Sequence, residues 1–465
     1  MKLSALAILT ACAALAQVPT IDFSRQKAEI LNHYRTLVQM DTTPPAGNET
    51  KAAEYMKKLL EAEGIPCQMF AMDPNRANLV CRLKGNGSKK PLLILAHTDV
   101  VPVQREKWPV DPFGAVMKDG YIWGRGTTDD KPHVTATLMT MLLLKRSGAK
   151  LDRDVIFLAE AAEEADMTGV GINFMVAQHF KEFEAEFAIT EGGGATIENG
   201  TVVSVNIGTA EKVPARARLV SNGTSGHGSV PRLDNALIHL GAAVEKVGTW
   251  ETPMRLNDTT RTYFEKLGQM SSPEKAARYK ALSNPATSQA AQQYLRENEP
   301  ALWSMLRTSV VPTMMKAGVG LNVIPSEAEA VLDIRAVPGE DIPAFFEEMR
   351  KRINDPAVKV EPLPMMRPAS PASPLTTEAY KTLERVAKRM YPAATILPSM
   401  STGASDMAQL RAKGIPSYGI GPAALASDRL NYGAHSDVER LQESSLYPFV
   451  EFFYTAVAEL AVTAP

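Results

Sequence analysis

Residues 91–99 read PLLILAHTD, and this stretch decides the fold. The apolar run before its histidine is typical of a strand that is buried on both faces. Two similar runs follow, VIFLA at 155–159 and FAIT at 187–190, and segments with helical spacing separate the three. Strands that alternate with helices predict an α/β fold with a mixed, largely parallel sheet covered by helices.

Polar side chains follow each of the three apolar runs. His97 and Asp99 come after the first, Glu163 and Glu164 after the second, and Glu191 after the third. Because ligands gather at the carboxyl ends of strands in open α/β sheets, we expect these side chains to lie close together.

The types of these residues suit a metal site. His97 and Asp99 stand two apart in an extended segment, so one can bind a metal while the other orients its neighbour. Glu163 and Glu164 point apart, so one can bind the metal while the other receives a proton from bound water. Each pair alone is more typical of a solvated surface.

A glycine-bearing turn, WGRGTTDDK at 123–131, places two more acids before a helix that begins near Pro132. One of Asp129 and Asp130 is expected to cap this helix. The other is free for metal, and a carboxylate has two oxygens with which it can bridge two cations.

The pattern changes near residue 212. Residues 213–220 alternate like one half-exposed strand, a polar helix-favouring stretch covers about 250–306, and strand patterns return at 328–336. This predicts an α+β insertion in the α/β domain. The expected segments are a leader at 1–16, a first catalytic part at 17–211, an inserted domain at 212–365 and a second catalytic part at 366–465.

Composition excludes several classes of protein. Of 465 residues, 45% are hydrophobic and 22% charged, the balance of a folded globular chain of two or three domains rather than a disordered one. The net charge of -2 gives no electrostatic reason to expect nucleic acid as a partner.

The N-terminus has the pattern of a secretory signal peptide: Lys2, an apolar stretch at 3–9, and the small residues Ala14 and Ala16, two apart, before a cleavage point. We therefore expect a secreted or periplasmic protein without a transmembrane span. Two alternatives stay open, lipidation at Cys12 and an uncleaved helix too short to span a bilayer.

Cleavage would leave Cys67 and Cys81. They could form a bridge across a hairpin in an oxidising compartment, or remain two half-buried thiols.

Ordered motifs across most of the chain resemble one family. They are HTDVVP at 97–102, GRGTTDDK at 124–131, EE at 163–164, EGGG at 191–194, GHGS at 226–229, LNVIP at 321–325 and AHSDVE at 434–439. The chain is similar to the dinuclear zinc peptidases that include aminoacylase, glutamate carboxypeptidase, acetylornithine deacetylase and succinyl-diaminopimelate desuccinylase, and most to the carboxypeptidase-S-like members.

This resemblance implies two zinc ions. One would be bound by His97 and Glu191, the other by Glu164 and His435, with Asp129 bridging them. Glu163 would be the general base, Asp99 the partner of His97, and the Asp129–Asp130 peptide bond cis. Manganese or cobalt would suit the same ligands.

The resemblance also makes the inserted domain a lid and dimerisation unit. His227 would stabilise the oxyanion, often from a partner subunit, and Asn322 would contact substrate. Arg335 would grip a substrate carboxylate, although pairing with Asp333 or Glu329 is an equal alternative. The backbone of Gly403, Ala404 and Ser405 would bind the same carboxylate.

The expected reaction is cleavage of an amide beside a free carboxylate, in a small peptide by a carboxypeptidase or dipeptidase. Deacylation of N-acyl amino acids is the alternative with the same chemistry. An exported, non-catalytic peptide-binding protein is the alternative of a different class.

Overall fold

The computed structural model describes residues 20–164 and 169–463. The expected leader and Cys12 lie outside these residues. The helices are α1 (Phe23–Val38), α2 (Glu49–Ala62), α3 (Lys131–Arg146), α4 (Gly171–Gln178), α5 (Ala236–Gly248), α6 (Asp258–Gln269), α7 (Pro273–Ala281), α8 (Ser288–Asn298), α9 (Pro300–Ser304), α10 (Ile342–Ile353), α11 (Glu378–Met390), α12 (Met407–Ala412), α13 (Ala426–Tyr432) and α14 (Glu443–Ala461), with short 3-10 turns at Arg105–Lys107 and Phe180–Glu182.

The strands are β1 (Cys67–Phe70), β2 (Asn78–Leu83), β3 (Leu92–His97), β4 (Val116–Lys118), β5 (Tyr121–Trp123), β6 (Val155–Glu160), β7 (Phe187–Thr190), β8 (Gly194–Glu198), β9 (Thr201–Glu211), β10 (Val213–Pro214), β11 (Ala217–Asn222), β12 (Gly226–His227), β13 (Ser309–Ala317), β14 (Val323–Ile324), β15 (Glu327–Ala336), β16 (Val358–Pro362), β17 (Thr395–Ser401), β18 (Ser417–Gly419), β19 (Ala423–Leu425) and β20 (Arg440–Gln442).

A mixed ten-stranded sheet forms the centre of the molecule, in the order β1-β2-β6-β3-β7-β18-β9-β8-β19, with β17 also paired to β9. The three apolar runs are β6, β3 and β7, which are parallel neighbours. Every residue in these three strands is buried, as expected for strands covered on both faces. The predicted fold class is confirmed.

Helices cover both faces of this sheet. On one face α3 lies in the interior against α1 and α14, and it is buried around nearly its whole circumference. On the other face, residues of α4 and α12 pack on the strands. The central strands are therefore packed between two layers of helices.

A second sheet of five strands has the order β10-β15-β11-β16, with β13 also paired to β15. Helices α5 and α10 pack against it in a separate hydrophobic cluster. This α+β unit lies within the predicted insertion, whose exact boundaries stay a prediction. Helices α6 to α9 occupy the polar stretch at 250–306.

The prediction of a single strand at residues 213–220 is wrong in one detail. The structure divides it into β10 and β11, which pair with different parts of β15. Pro214 closes β10, and a proline has no N–H with which to continue a ladder of hydrogen bonds.

The two cysteines face each other on β1 and β2 and form a disulfide. The structure therefore favours the bridge over two free thiols. None of the described helices has both the length and the apolar character needed to cross a membrane.

Candidate metal centre

The carboxyl ends of β3, β6 and β7 bring the predicted ligands together. His97 ends β3, Glu164 follows β6, and Glu191 follows β7. Asp129 reaches them from the turn before α3, and His435 from the loop after α13. Among the described residues, three overlapping groups of possible ligand atoms result, each with its members within 4.8 Å of one another: His97, Asp129, Asp130 and Glu191; His97, Glu163 and Glu164; and Asp129, Glu164 and His435.

Asp129 belongs to the first and the third of these groups. Its Oδ1 lies 2.9 Å from Nε2 of His97, and its Oδ2 lies 3.2 Å from Nε2 of His435. The same nitrogen of His435 is 2.8 Å from Oε1 of Glu164, and Nε2 of His97 is 3.9 Å from Oε2 of Glu191. One carboxylate between two sets of nitrogen and oxygen donors, without sulfur, fits a pair of divalent cations.

The electrostatics of the cluster point the same way. Burial lowers the pKa of His97, but hydrogen bonds to Asp129 and Asp99 outweigh it and hold the pKa well above its usual range. Hydrogen bonds to Asp129 and Glu164 raise the pKa of His435 to about 10. The surrounding carboxylates thus favour positive charge at the two histidines, and metal ions would supply that charge in place of protons.

Asp99 is fully buried and connects the histidine with the glutamate pair. Its Oδ1 is 3.4 Å from Nδ1 of His97, whose ring also contacts the Asp99 carbonyl at 3.2 Å. Its carboxylate accepts hydrogen bonds from the backbone N–H groups of Glu163 and Glu164, both at 3.0 Å. Asp99 therefore fixes the ring and the backbone that carries the two glutamates.

Asp130 behaves differently from the expected cap. It occupies the N-cap position of α3, but its side chain makes no capping hydrogen bond. Instead its Oδ2 accepts from the backbone N–H of His97 at 3.3 Å, and its Oδ1 contacts Nδ1 of His133. The Asp129–Asp130 peptide bond is cis, as the resemblance implied.

Glu439 is a supporting residue that the sequence analysis missed. It is fully buried and accepts from the N–H groups of Gly126 and Thr128 at 3.1 and 2.7 Å and from Arg125 at 2.8 Å. It thereby holds the turn that presents Asp129. The signal was available, since Glu439 is the last residue of the AHSDVE motif.

A cavity of about 290 Å³ opens beside the cluster. Glu163, Glu164 and His435 line one side of it, and the predicted substrate residues Arg335, Gly403 and Ala404 also line it. The remaining lining residues are Pro214, Arg216, Pro364, Met366 and Arg367.

Two of the predicted substrate residues have partners within the protein. Arg335 lines the cavity, as a substrate role requires, and it also bonds to Asp333 through Nε at 2.9 Å, which is the alternative pairing; its contact with substrate stays a prediction. Ser405 is buried and is not among the residues that line the cavity; its hydroxyl donates to Oε2 of Glu211 at 2.7 Å.

His227 and Asn322 lie together, apart from the residues that line this cavity. Strand β12 pairs with β14, and the N–H of Gly228 donates to the Asn322 carbonyl at 2.7 Å. Both residues are exposed, and Nδ1 of His227 accepts from the N–H of Ser229 at 3.1 Å. In the described part of the chain they do not join the metal-ligand cluster.

Arg367 is a second residue that the sequence analysis missed. Its guanidinium forms an ion pair with Oε1 of Glu163 and lies 3.5 Å from Oδ1 of Asp406. Burial raises the pKa of Glu163 well above its usual range, and the charge of Arg367 opposes that rise. Its position in a proline-rich stretch gave no signal of this contact.

Comparison with known proteins places this geometry in context. The sequence profile described as peptidase family M20/M25/M40 matches residues 93–459. The chain is 28% identical over 387 residues to probable carboxypeptidase S-like 2 of Dictyostelium discoideum, covering 81% of this chain and 73% of that protein. It is 32% identical over 327 residues to human N-fatty-acyl-amino acid synthase/hydrolase PM20D1, covering 69% and 64%.

The fold also resembles a solved structure. The M20 family metallo-carboxypeptidase Sso-CP2 from Sulfolobus solfataricus superposes with a TM-score of 0.69 at 20% identity. The match covers 93% of this chain and 99% of that one.

Proposed function

This chain belongs to peptidase family M20/M25/M40, and on that premise we propose that it is a dinuclear zinc hydrolase that cleaves an amide bond beside a free carboxylate. The observation that carries the proposal is the position of Asp129 between two ligand groups, next to a cavity that contains Arg335. The leading substrates are dipeptides or the carboxyl ends of small peptides.

The donors present fit two metal ions. His97 and Glu191 would hold one ion, Glu164 and His435 the other, and Asp129 would bind both. Imidazole and carboxylate donors suit zinc, and manganese or cobalt would suit them as well. When bound, such ions supply Lewis-acid activation of water and of the scissile carbonyl.

The side chains of the site transfer the proton, position the ligands and bind the substrate. Glu163 accepts the proton of the attacking water and delivers it to the leaving amine. Asp99 keeps the His97 ring and the glutamate backbone in place. Arg335 and the N–H groups of Gly403 and Ala404 bind the substrate carboxylate, for which an arginine offers two parallel donors.

Deacylation of N-acyl amino acids is the second candidate. An N-acyl amino acid has an amide beside a carboxylate, as a peptide does. The human relative is named as an N-fatty-acyl-amino acid synthase/hydrolase. The Dictyostelium relative carries a carboxypeptidase name, which favours peptides. Catalytic chemistry is common to both candidates, so the acyl half of the substrate separates them.

A homodimer through the inserted α+β unit completes the proposal. Strand β13 is an edge strand that exposes Val311, Met314 and Met315, an apolar edge of the kind that partners cover. Dimerisation through this unit would let the exposed His227 of one protomer reach the other's site and stabilise the oxyanion. The disulfide supports secreted or periplasmic placement, because such bonds persist in oxidising compartments.

The test is hydrolysis of a paired library by purified zinc-loaded protein. Each dipeptide and each N-acyl amino acid is offered with a free and with an amidated carboxyl terminus. The proposal expects turnover of the free acids and a loss of at least about a hundredfold in kcat/KM for the amides, because an amidated terminus offers Arg335 no substrate carboxylate to bind. Tight binding without turnover would instead support a peptide-binding protein.

A further inference from the structure

Arg367 contacts the proposed base directly. It lies on the segment that leaves β16 and returns toward α11, and it lines the same cavity as Glu163. Besides its ion pair with Oε1 of Glu163, its Nη2 donates to the carbonyl of that residue at 3.2 Å. Only 15% of the Arg367 side chain and 8% of the Glu163 side chain are exposed, so water screens this pair little.

The contact completes a two-point attachment of Glu163. Asp99 accepts the backbone N–H of Glu163 at 3.0 Å and so fixes the start of the side chain. The guanidinium fixes its end through Oε1, and a carboxylate held in this way keeps Oε2 for a proton. A general base acts only within hydrogen-bond reach of the proton it removes, about 2.6–3.2 Å, so the orientation of the carboxylate matters.

Arg367 is itself held in place. Its guanidinium lies 3.5 Å from Oδ1 of Asp406, whose side chain is 6% exposed. The neighbouring carbonyl of Met366 accepts a hydrogen bond from Nδ2 of Asn173 at 3.4 Å. The arginine therefore has a second acidic contact and an anchored backbone beside it.

The other two arginines of the cavity have a different partner. Arg335 bonds to Asp333 at 2.9 Å and Arg216 to the same carboxylate at 3.3 Å, both through Nε. Arg335 lies on β15 and Arg216 in the short link between β10 and β11, where a substrate carboxylate can be received. Arg367 differs from them because its partner is the proposed base.

We propose that Arg367 is a positioning residue that holds the carboxylate of Glu163 at the edge of the metal-ligand cluster in the orientation needed for proton transfer. This inference rests on the proposed hydrolytic function. Nη2 alone contacts both the side chain and the carbonyl of Glu163, so a lysine would keep the charge but would have to place its ammonium there on a side chain one atom shorter.

The kinetic test uses zinc-loaded Arg367→Ala and Arg367→Lys with a substrate that the wild type hydrolyses. For Arg367→Ala we expect kcat to fall by roughly a hundredfold, as for other small misplacements of catalytic groups. KM should change by less than about threefold, and zinc content should stay that of the wild type. Arg367→Lys should recover part of the loss, and added guanidinium at millimolar concentration should rescue Arg367→Ala but not the wild type.

A double-mutant cycle separates action through Glu163 from an independent role. In a Glu163→Gln background, Arg367→Ala should lower kcat by less than about threefold, because the group it positions is already gone. Losses that simply multiply would overturn the proposal. A raised KM with unchanged kcat would do so too, since it would make Arg367 a substrate ligand.

A crystal structure supplies a readout that needs no substrate. In zinc-loaded Arg367→Ala we expect the Glu163 carboxylate to leave the position it holds in the zinc-loaded wild type. An unmoved carboxylate contradicts the positioning role even if the substrate class is wrong. Wild-type protein that hydrolyses no amide would instead count against the proposed function.

Discussion

Oδ2 of Asp129 lies 3.2 Å from Nε2 of His435, while the other oxygen of the same carboxylate faces His97. A single side chain therefore lies between the histidines of the two proposed metal sites, and Asp129 is the ligand that we assign to both ions. The two proposed metal sites should depend on it together.

Asp129→Asn should consequently weaken both sites. A neutral amide offers one oxygen, so it cannot bridge two cations, and bound zinc should fall from two ions to fewer than about one per chain after dialysis. Elemental analysis of the dialysed protein measures this. Asp341→Asn is the matched control, because Asp341 caps α10 and asparagine caps helices equally well. Retention of two ions by Asp129→Asn would refute the bridging role.

The disulfide should contribute to stability. Cys67 and Cys81 are 14 residues apart, and closing a loop of this size lowers the entropy of the unfolded chain by the equivalent of about 3 kcal/mol. In urea unfolding, the free energy of unfolding of Cys67→Ala/Cys81→Ala should be lower than that of the wild type by an amount near this size. Reduced wild type should match the double variant, whereas insensitivity of the wild type to reductant would argue against the bridge.

Lys212 should make stability depend on pH. Its Nζ is buried and donates to the hydroxyls of Ser304 and Ser309, both at 3.0 Å. Burial, helped by the charge of Arg335, lowers its pKa from 10.5 to about 7. Between these pH values the unfolded chain binds a proton at Lys212 that the folded chain does not. The free energy of unfolding should therefore rise with pH across this window. Below pH 7 the destabilisation caused by burying this lysine is at its full size.

Between pH 7 and 9, Lys212 should raise the free energy of unfolding by about 2 kcal/mol. Lys212→Met should remove it, and Lys359→Met, at an exposed lysine, should not. Denaturant unfolding at the two pH values gives the comparison. Equal pH dependence in wild type and Lys212→Met would show that this lysine keeps its proton when buried.

The exposed edge of β13 should mediate the proposed homodimer. Met315 is 59% exposed, and Met314→Glu/Met315→Glu places two charges on that edge. Light scattering should show a change from dimer to monomer, and activity should fall if His227 acts from the partner. Met72→Glu is the control, since Met72 is 58% exposed on another surface. A wild type that is monomeric at assay concentration would exclude a partner-supplied His227.

Much of this architecture was predictable from the sequence. The runs that became β3, β6 and β7 are apolar throughout, and their ends carry the polar residues that the sheet brings together. Strand ends meet at one edge of a parallel sheet whatever the intervening loops do, which is why local patterns sufficed.

Other parts of the site depend on contacts between distant segments. Arg367 is 204 residues from Glu163, and no local spacing connects the two. Asp130 looked like a helix cap, but its side chain turned to the backbone of His97, 33 residues away. Residues whose role is set by tertiary contacts carry little signal in their own neighbourhood.

The most direct test of the central claim compares Glu163→Gln with Glu164→Gln, measuring bound zinc and turnover of the best library substrate on the same samples. Glu163→Gln should retain two zinc ions and lose about 10²–10⁴-fold in kcat, because it removes the base and leaves the ligands. Glu164→Gln should lose metal as well as activity. Turnover near the wild-type rate in Glu163→Gln, or full activity in metal-free protein, would contradict the account.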